Sequence, residues 1–186
     1  MLRSRFSRLF SVFLAILLAG CGTAYAQHDD EQIPVAAEKL KAAFLFRLCF
    51  FVDWEELPAD RPFVFLVIGA NEIAEELTEL VRGKDVEGHA IEVRTTDSLD
   101  VVDDAHVVFV SRSFRRWTER IVKDYEGRPV LTVADYRDFP KRGGMVGLFY
   151  ERDRIALAVN PSKCQDARLQ LSARLLAVAR EVIEAP

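Results

Sequence analysis

Three short, nearly uninterrupted apolar runs, at residues 63–68, 107–110 and 130–133, constrain this chain most. Each is too short for a buried helix and rich in Val, the first two with Phe as well. That pattern belongs to strands covered on both faces. Between them lie stretches of helical spacing. One follows Asn71 with Ile73, Leu77, Leu80 and Val81 on one side. Another follows Ser111 and Ser113 and runs through Trp117, Ile121 and Val122. Residues 91–94 alternate and read as a strand nearer an edge. Strands alternating with helices predict an α/β fold: a single domain whose mostly parallel twisted sheet is flanked by helices on both faces. The apolar runs 145–150 and 155–159, joined by Glu151-Arg152-Asp153-Arg154, add an antiparallel hairpin at one edge. Asn160-Pro161 then opens a long helix expected to run to about Glu184 along Leu171, Leu175, Val178 and Val182.

The chain has 186 residues, half of them hydrophobic, which suits one domain and excludes a disordered polypeptide. Residues 1–20 contain Arg3, Arg5 and Arg8 and no acid; the remaining 22 basic and 29 acidic residues give a net charge of −7. Such a surface offers no footprint for nucleic acid. The basic start and the apolar run 9–19 read as an export signal over residues 1–26, too short to stay in a bilayer as a helix. Two cleavage readings stand. Leu18-Ala19-Gly20-Cys21 resembles a lipobox that would acylate Cys21, and Ala24-Tyr25-Ala26 suits ordinary processing before Gln27. Residues 27–34 read as a tether and 35–184 as the folded domain, working in the periplasm, either free or lipid-anchored. Two cysteines then remain, Cys49 and Cys164. They are either a structural bridge or two separate buried thiols.

A helix is expected over 35–52. Ala37, Leu40, Phe44, Leu48 and Phe51 form its main apolar stripe, with Ala43, Phe46 and Phe50 beside it. Phe44 and Phe51 read as core. Phe46, Phe50 and Trp54, with Arg47 and Asp53 among them, read as a partner-binding surface, because a flanking helix rarely has neighbours on every side.

No catalytic set emerges. Gly-rich nucleotide fingerprints, a nucleophile elbow and metal-ligand spacing are all missing from the sequence, so no cofactor or metal is expected. His106 beside Asp103 and Asp104 is the best acid–base candidate, and a solvated acidic loop is the plainer reading. Parallel sheets bind ligands beyond the carboxyl ends of their strands. An alternative small-molecule site is therefore expected around Gly69, Asn71, Ser111, Arg112, Ser113 and Asp135.

Lys41-Ala42-Ala43-Phe44-Leu45-Phe46, followed by Phe51-Val52-Asp53-Trp54, resembles the opening signature of the YfiR family. Gly143-Gly144-Met145-Val146-Gly147, Asn160 before the last helix, and Leu171-Ser172-Ala173-Arg174-Leu175-Leu176 match further family motifs in order, over about residues 35–180. The resemblance implies a non-enzymatic periplasmic α/β domain, a homodimer, that restrains an inner-membrane diguanylate cyclase or other membrane sensor by contacting its periplasmic part. An outer-membrane lipoprotein would relieve the restraint. The chain departs from the family at Cys49, where Ala is usual, and at Phe50, which replaces Lys or Arg. It also lacks the cysteine many members carry near 103–106, so no family disulfide is carried over.

Overall fold

The computed structural model describes residues 32–54, 57, 60–152 and 154–183. The export segment with Cys21, and the start of the tether, lie outside the described residues. Chain order is α1 (Gln32–Leu48), a 3-10 turn (Cys49–Phe51), β1 (Val52–Trp54), β2 (Phe63–Ile68), α2 (Asn71–Val81), β3 (Asp85–Val86), β4 (His89–Thr96) and β5 (Val107–Val110). A 3-10 segment (Arg112–Trp117) leads into α3 (Thr118–Asp124), followed by β6 (Leu131–Ala134), a 3-10 turn (Pro140–Arg142), β7 (Val146–Glu151) and β8 (Arg154–Val159). The chain closes with α4 (Pro161–Asp166), β9 (Leu169–Leu171), α5 (Ala173–Val178) and β10 (Glu181–Val182).

Eight strands form the main sheet in the order β10-β8-β7-β6-β5-β2-β4-β3. Five neighbouring pairs are parallel; β7–β8 and β3–β4 are antiparallel. Because successive side chains on a strand point to opposite faces, the apolar runs feed two cores. Phe63, Phe65, Val67, Val107, Phe109, Leu131 and Val133 pack with α1 and α2 on one side. Leu66, Ile68, Val108, Val110 and Ala134 pack with Ile121, Tyr125, Tyr136 and Phe139 on the other. This two-sided cover is the reason Phe63–Ile68 and Val107–Val110 carry no polar residue.

Three sequence expectations are corrected. The long last helix breaks into α4, β9, α5 and β10. Arg168 takes a left-handed φ of 58°, and Leu169–Leu171 then pairs antiparallel with β1, Val52 opposite Leu171. That two-stranded sheet gives backbone partners to a segment whose Leu-Gln-Leu alternation fits period 2 as well as it fits a helix. The first helix begins at Gln32 and ends at Leu48, so Val52 belongs to a strand. Its buried stripe is Ala42, Leu45, Phe46 and Cys49, with Leu48, while Leu40 is exposed. The β7–β8 hairpin stands at one edge region of the sheet as expected, with the two-residue β10 pairing parallel to β8 beyond it.

The family-motif residues sit where this topology is tight. A side chain at Gly147 would have its Cβ 2.6 Å from the Tyr136 carbonyl oxygen, so the β6–β7 connection requires glycine there. Gly143 closes the Pro140–Arg142 turn, Gly144 lies against the Phe139 ring, and Met145 is buried. The Asn160 side chain accepts from Lys163 N at 3.2 Å and donates to Pro140 O at 3.2 Å, capping α4 and pinning it to that turn. Ser172 Oγ accepts from Leu175 N at 3.3 Å and caps α5, whose Leu175 enters the core.

Candidate functional site

Three regions carry the candidate groups. The first is the end of α1. Phe46 is only 9% exposed and meets Phe50 edge-on at 5.1 Å, while Phe50 is 57% exposed. Arg47 and Asp53 are also exposed. Lys84 Nζ lies 5.3 Å from the Phe46 ring centre, a cation–π contact at the edge of this patch. Trp54 is buried: its Nε1–H donates to Cys49 O at 3.3 Å and its ring meets Phe63 at 5.1 Å. Phe44 and Phe51 are partly buried against the core. Of the aromatic trio expected to face a partner, Phe50 alone is exposed, flanked by Arg47 and Asp53.

The second region is the carboxyl end of the parallel strands. Gly69 turns with φ of 70°. Ser111 Oγ and Ser113 Oγ share a 2.5 Å hydrogen bond, and Ser113 Oγ donates to Gly69 O at 3.3 Å. Arg112 Nη2 donates to Asp135 O at 3.0 Å. Lys41 bridges Glu38 at 2.9 Å and Asp135 at 3.1 Å, from a position where both side chains of the Lys41–Asp135 pair are largely buried. Burial alone would lower the Lys41 pKa, but Glu38 and Asp135 outweigh it and the ammonium is held above its ordinary value. Asn71 makes no side-chain cap to α2, whose preceding residue is Ala70. It lines a surface cleft with Glu75 and Thr78 instead. The expected ligand residues thus fall into separate groups, two of them already bonded internally, and only Arg112 and Asp135 share a small cavity of about 170 Å³, with Lys41 and Tyr150.

The third region, at the amino ends of the strands, was signalled in the sequence through His106 with Asp103 and Asp104. A cavity of about 740 Å³ opens there between Trp54, Arg61, Arg94, Asp104, His106 and Arg128. Arg94 grips Glu92 at 2.7 and 2.9 Å and Asp104 at 2.7 Å. These bonds hold both carboxyl groups below, and the guanidinium above, their usual ranges. Arg128 pairs with Asp103 at 2.6 Å. His106 is not a solvated loop residue. Its Nδ1 accepts the Val64 N–H at 3.0 Å, its backbone N–H donates to Val64 O at 2.9 Å, and its ring stacks on Phe63 at 4.8 Å. An Nδ1 that accepts an N–H places the proton on Nε2, so the imidazole extends the β2–β5 ladder by one rung in its neutral form. Burial lowers its pKa accordingly, although Asp104 pulls the other way. With its acceptor nitrogen committed to backbone, His106 is a structural latch rather than a base. The contacts linking residues 54, 94, 106 and 128 are long-range, which is why local patterning did not reveal this cavity.

Cys49 and Cys164 are both free and buried, so the bridge is the alternative the structure does not carry. Burial pushes the Cys49 thiol far above its usual range and that of Cys164 up to about 12, leaving both unreactive. No helix among the described residues is long and apolar enough to cross a membrane.

The chain is similar to two solved structures at the level of fold. One is a conserved domain protein from Vibrio cholerae, 10% identical with a TM-score of 0.52 over 78% of this chain. The other is an ABC domain in complex with L-Trp from Streptococcus pneumonia, 10% identical with a TM-score of 0.55 over 76% of this chain. The chain spans 60% of the length of each. The comparison with curated proteins found no match. The YfiR/HmsC-like family profile matches residues 38–180, most of the described fold and every motif from Lys41 to Leu175. This chain therefore belongs to the YfiR/HmsC-like family.

Proposed function

We propose that the chain is an exported, non-catalytic signalling protein that binds and restrains the periplasmic sensory region of an inner-membrane partner, a diguanylate cyclase, and so holds down cyclic-di-GMP. The observation that carries this reading is the family match across residues 38–180, since the family is regulatory and periplasmic. The α1 end supplies a docking surface: Phe50 stands exposed, braced by buried Phe46, with Arg47 and Asp53 as flanking charges. A rigid aromatic ring ringed by polar groups is the usual anatomy of a protein-contact hot spot. A restrainer needs only to bind one state of its partner better than the other. Residues 1–26 act as the export signal and Cys21 as a lipid anchor if the lipobox is used. The protein works as a homodimer, with an outer-membrane lipoprotein as the releasing partner. Deleting the gene in the native host should raise cellular cyclic-di-GMP; an unchanged level under every growth condition removes this reading.

A second reading is a small-molecule-binding module. It rests on the 740 Å³ cavity, whose mixed wall of Trp54, arginines and His106 has the size and chemistry of a ligand pocket. Thermal-shift screening against nucleotides and envelope metabolites tests it. A ligand whose shift disappears in Arg61→Ala supports it, and no shift with any compound removes it.

A further inference from the structure

The chain from Arg112 to Asp124 carries five basic residues and two acids, in a protein whose charge beyond residue 20 is −7. The acids are answered. Glu119 takes Arg142 Nε at 2.9 Å and Nη2 at 2.6 Å, so a sixth cation is drawn onto this face. Asp124 lies 3.7 Å from Arg120. Arg115 pairs with Asp138 at 2.5 Å. Arg112, Arg116 and Lys123 have no carboxylate partner among the described residues. Arg112, Arg115, Arg116, Arg120 and Lys123 are all exposed, whereas Thr118 and Ile121 on the inner side of the same segment are buried. The segment is therefore an amphipathic ridge, apolar toward the sheet and cationic outward. At its middle stands Trp117, 39% exposed, with the Arg116 guanidinium 5.2 Å from its ring centre.

The shape matters as much as the charge. Arg112 and Arg115 border a cleft of about 330 Å³ beside Tyr136 and Asp138, whereas Arg116, Trp117, Arg120 and Lys123 line none of the five cavities described. Its charges are spread along the outer side of one segment and do not converge on a point, so the ridge suits a broad, diffuse anionic surface. A tryptophan among arginines is the composition that settles at the headgroup level of a bilayer.

We propose that the Arg112–Lys123 ridge docks the protein on anionic phospholipid headgroups, independently of the partner-binding surface on α1. Each basic residue close to such a surface strengthens binding by roughly fivefold, and salt weakens it. The test uses the exported protein carrying Cys21→Ser, so that no acyl chain is attached, sedimented with vesicles of phosphatidylcholine alone or mixed with phosphatidylglycerol. Expected is binding to the anionic vesicles at low salt that is lost at high salt. Arg116→Glu with Arg120→Glu should weaken it by about tenfold or more, while Arg82→Glu, just after α2, should leave it unchanged. Equal binding to both vesicle types, or no binding at low salt, overturns the proposal. Capture by polyglutamate without capture by vesicles also overturns it and points to an acidic protein instead. Should the double variant fail to fold, the salt dependence of the unaltered ridge decides, because insensitivity to salt contradicts the proposal by itself.

Discussion

The two ends of the parallel sheet are opposites. At the carboxyl ends, where open sheets ordinarily hold ligands, polar groups face one another: Ser111 with Ser113, Arg112 with the Asp135 carbonyl, Lys41 with Glu38 and Asp135. At the amino ends a cavity of about 740 Å³ stays open, although Arg94 with Glu92 and Asp104, and Arg128 with Asp103, are paired along its wall. The difference is one of closure. α1 reaches into the first end through Lys41, whereas at the second end Trp54, from the short β1–β9 sheet, forms part of the cavity wall. A helix of the same chain, reaching in through Lys41, thus takes up part of the space where topology places a ligand.

If the carboxyl end is closed by structure, breaking it should be costly. Lys41→Met leaves the Asp135 carboxylate largely buried without its cation and should cost about 2–4 kcal/mol in denaturant unfolding. Adding Asp135→Asn should recover part of that loss; a Lys41→Met loss below about 0.5 kcal/mol would mean this end is open after all. At the other end the polar group tied into the fold is the His106 latch. His106→Leu strands the Val64 N–H and should cost about 1–3 kcal/mol, and His106→Asn, which offers an acceptor oxygen, should cost less. The same latch sets a pH dependence. The folded pKa of His106 lies below its unfolded value, so the unfolded state binds more protons just below about pH 6.5. Stability is therefore full above that pH and falls as pH drops toward the folded pKa, by at most about 1.4 kcal/mol per pH unit. Thermal melts from pH 7.5 to 5 should show this slope in the native chain and a flatter one in His106→Asn. The smallest effect belongs to the rim: Arg128→Ala loses a pair with Asp103, whose side chain is 87% exposed, and should change stability by less than about 0.5 kcal/mol.

The central strands were readable because doubly covered strands leave an unambiguous mark: every residue of Phe63–Ile68 is buried, so none is polar. Segments readable in two ways were harder. α1 is apolar on most sides up to Arg47, so composition could not fix which stripe faces inward; packing on α2 and β2 chose Leu45 and Phe46 over Leu40. Leu169-Gln170-Leu171 fits helix and strand periods equally, and the long-range pairing with Val52–Trp54 decided it. At the candidate sites, Phe50 was legible from its neighbours, but the burial of Trp54 was not. Its ring is held by Phe63 and the Cys49 carbonyl, contacts that form only when the turn after α1 doubles back. His106 stood out in the sequence as a titratable residue beside two acids. Its role as a ladder rung depended on Val64, 42 positions earlier.

The central claim is that this chain acts by docking through the ring exposed at the end of α1 and not through chemistry of its own. Cellular cyclic-di-GMP in the native host carrying Phe50→Asp, with protein abundance in the envelope matched to wild type, tests it most directly. The account predicts a rise to the level of the deletion strain. A wild-type level in Phe50→Asp cells, beside a raised level in the deletion strain, would contradict it.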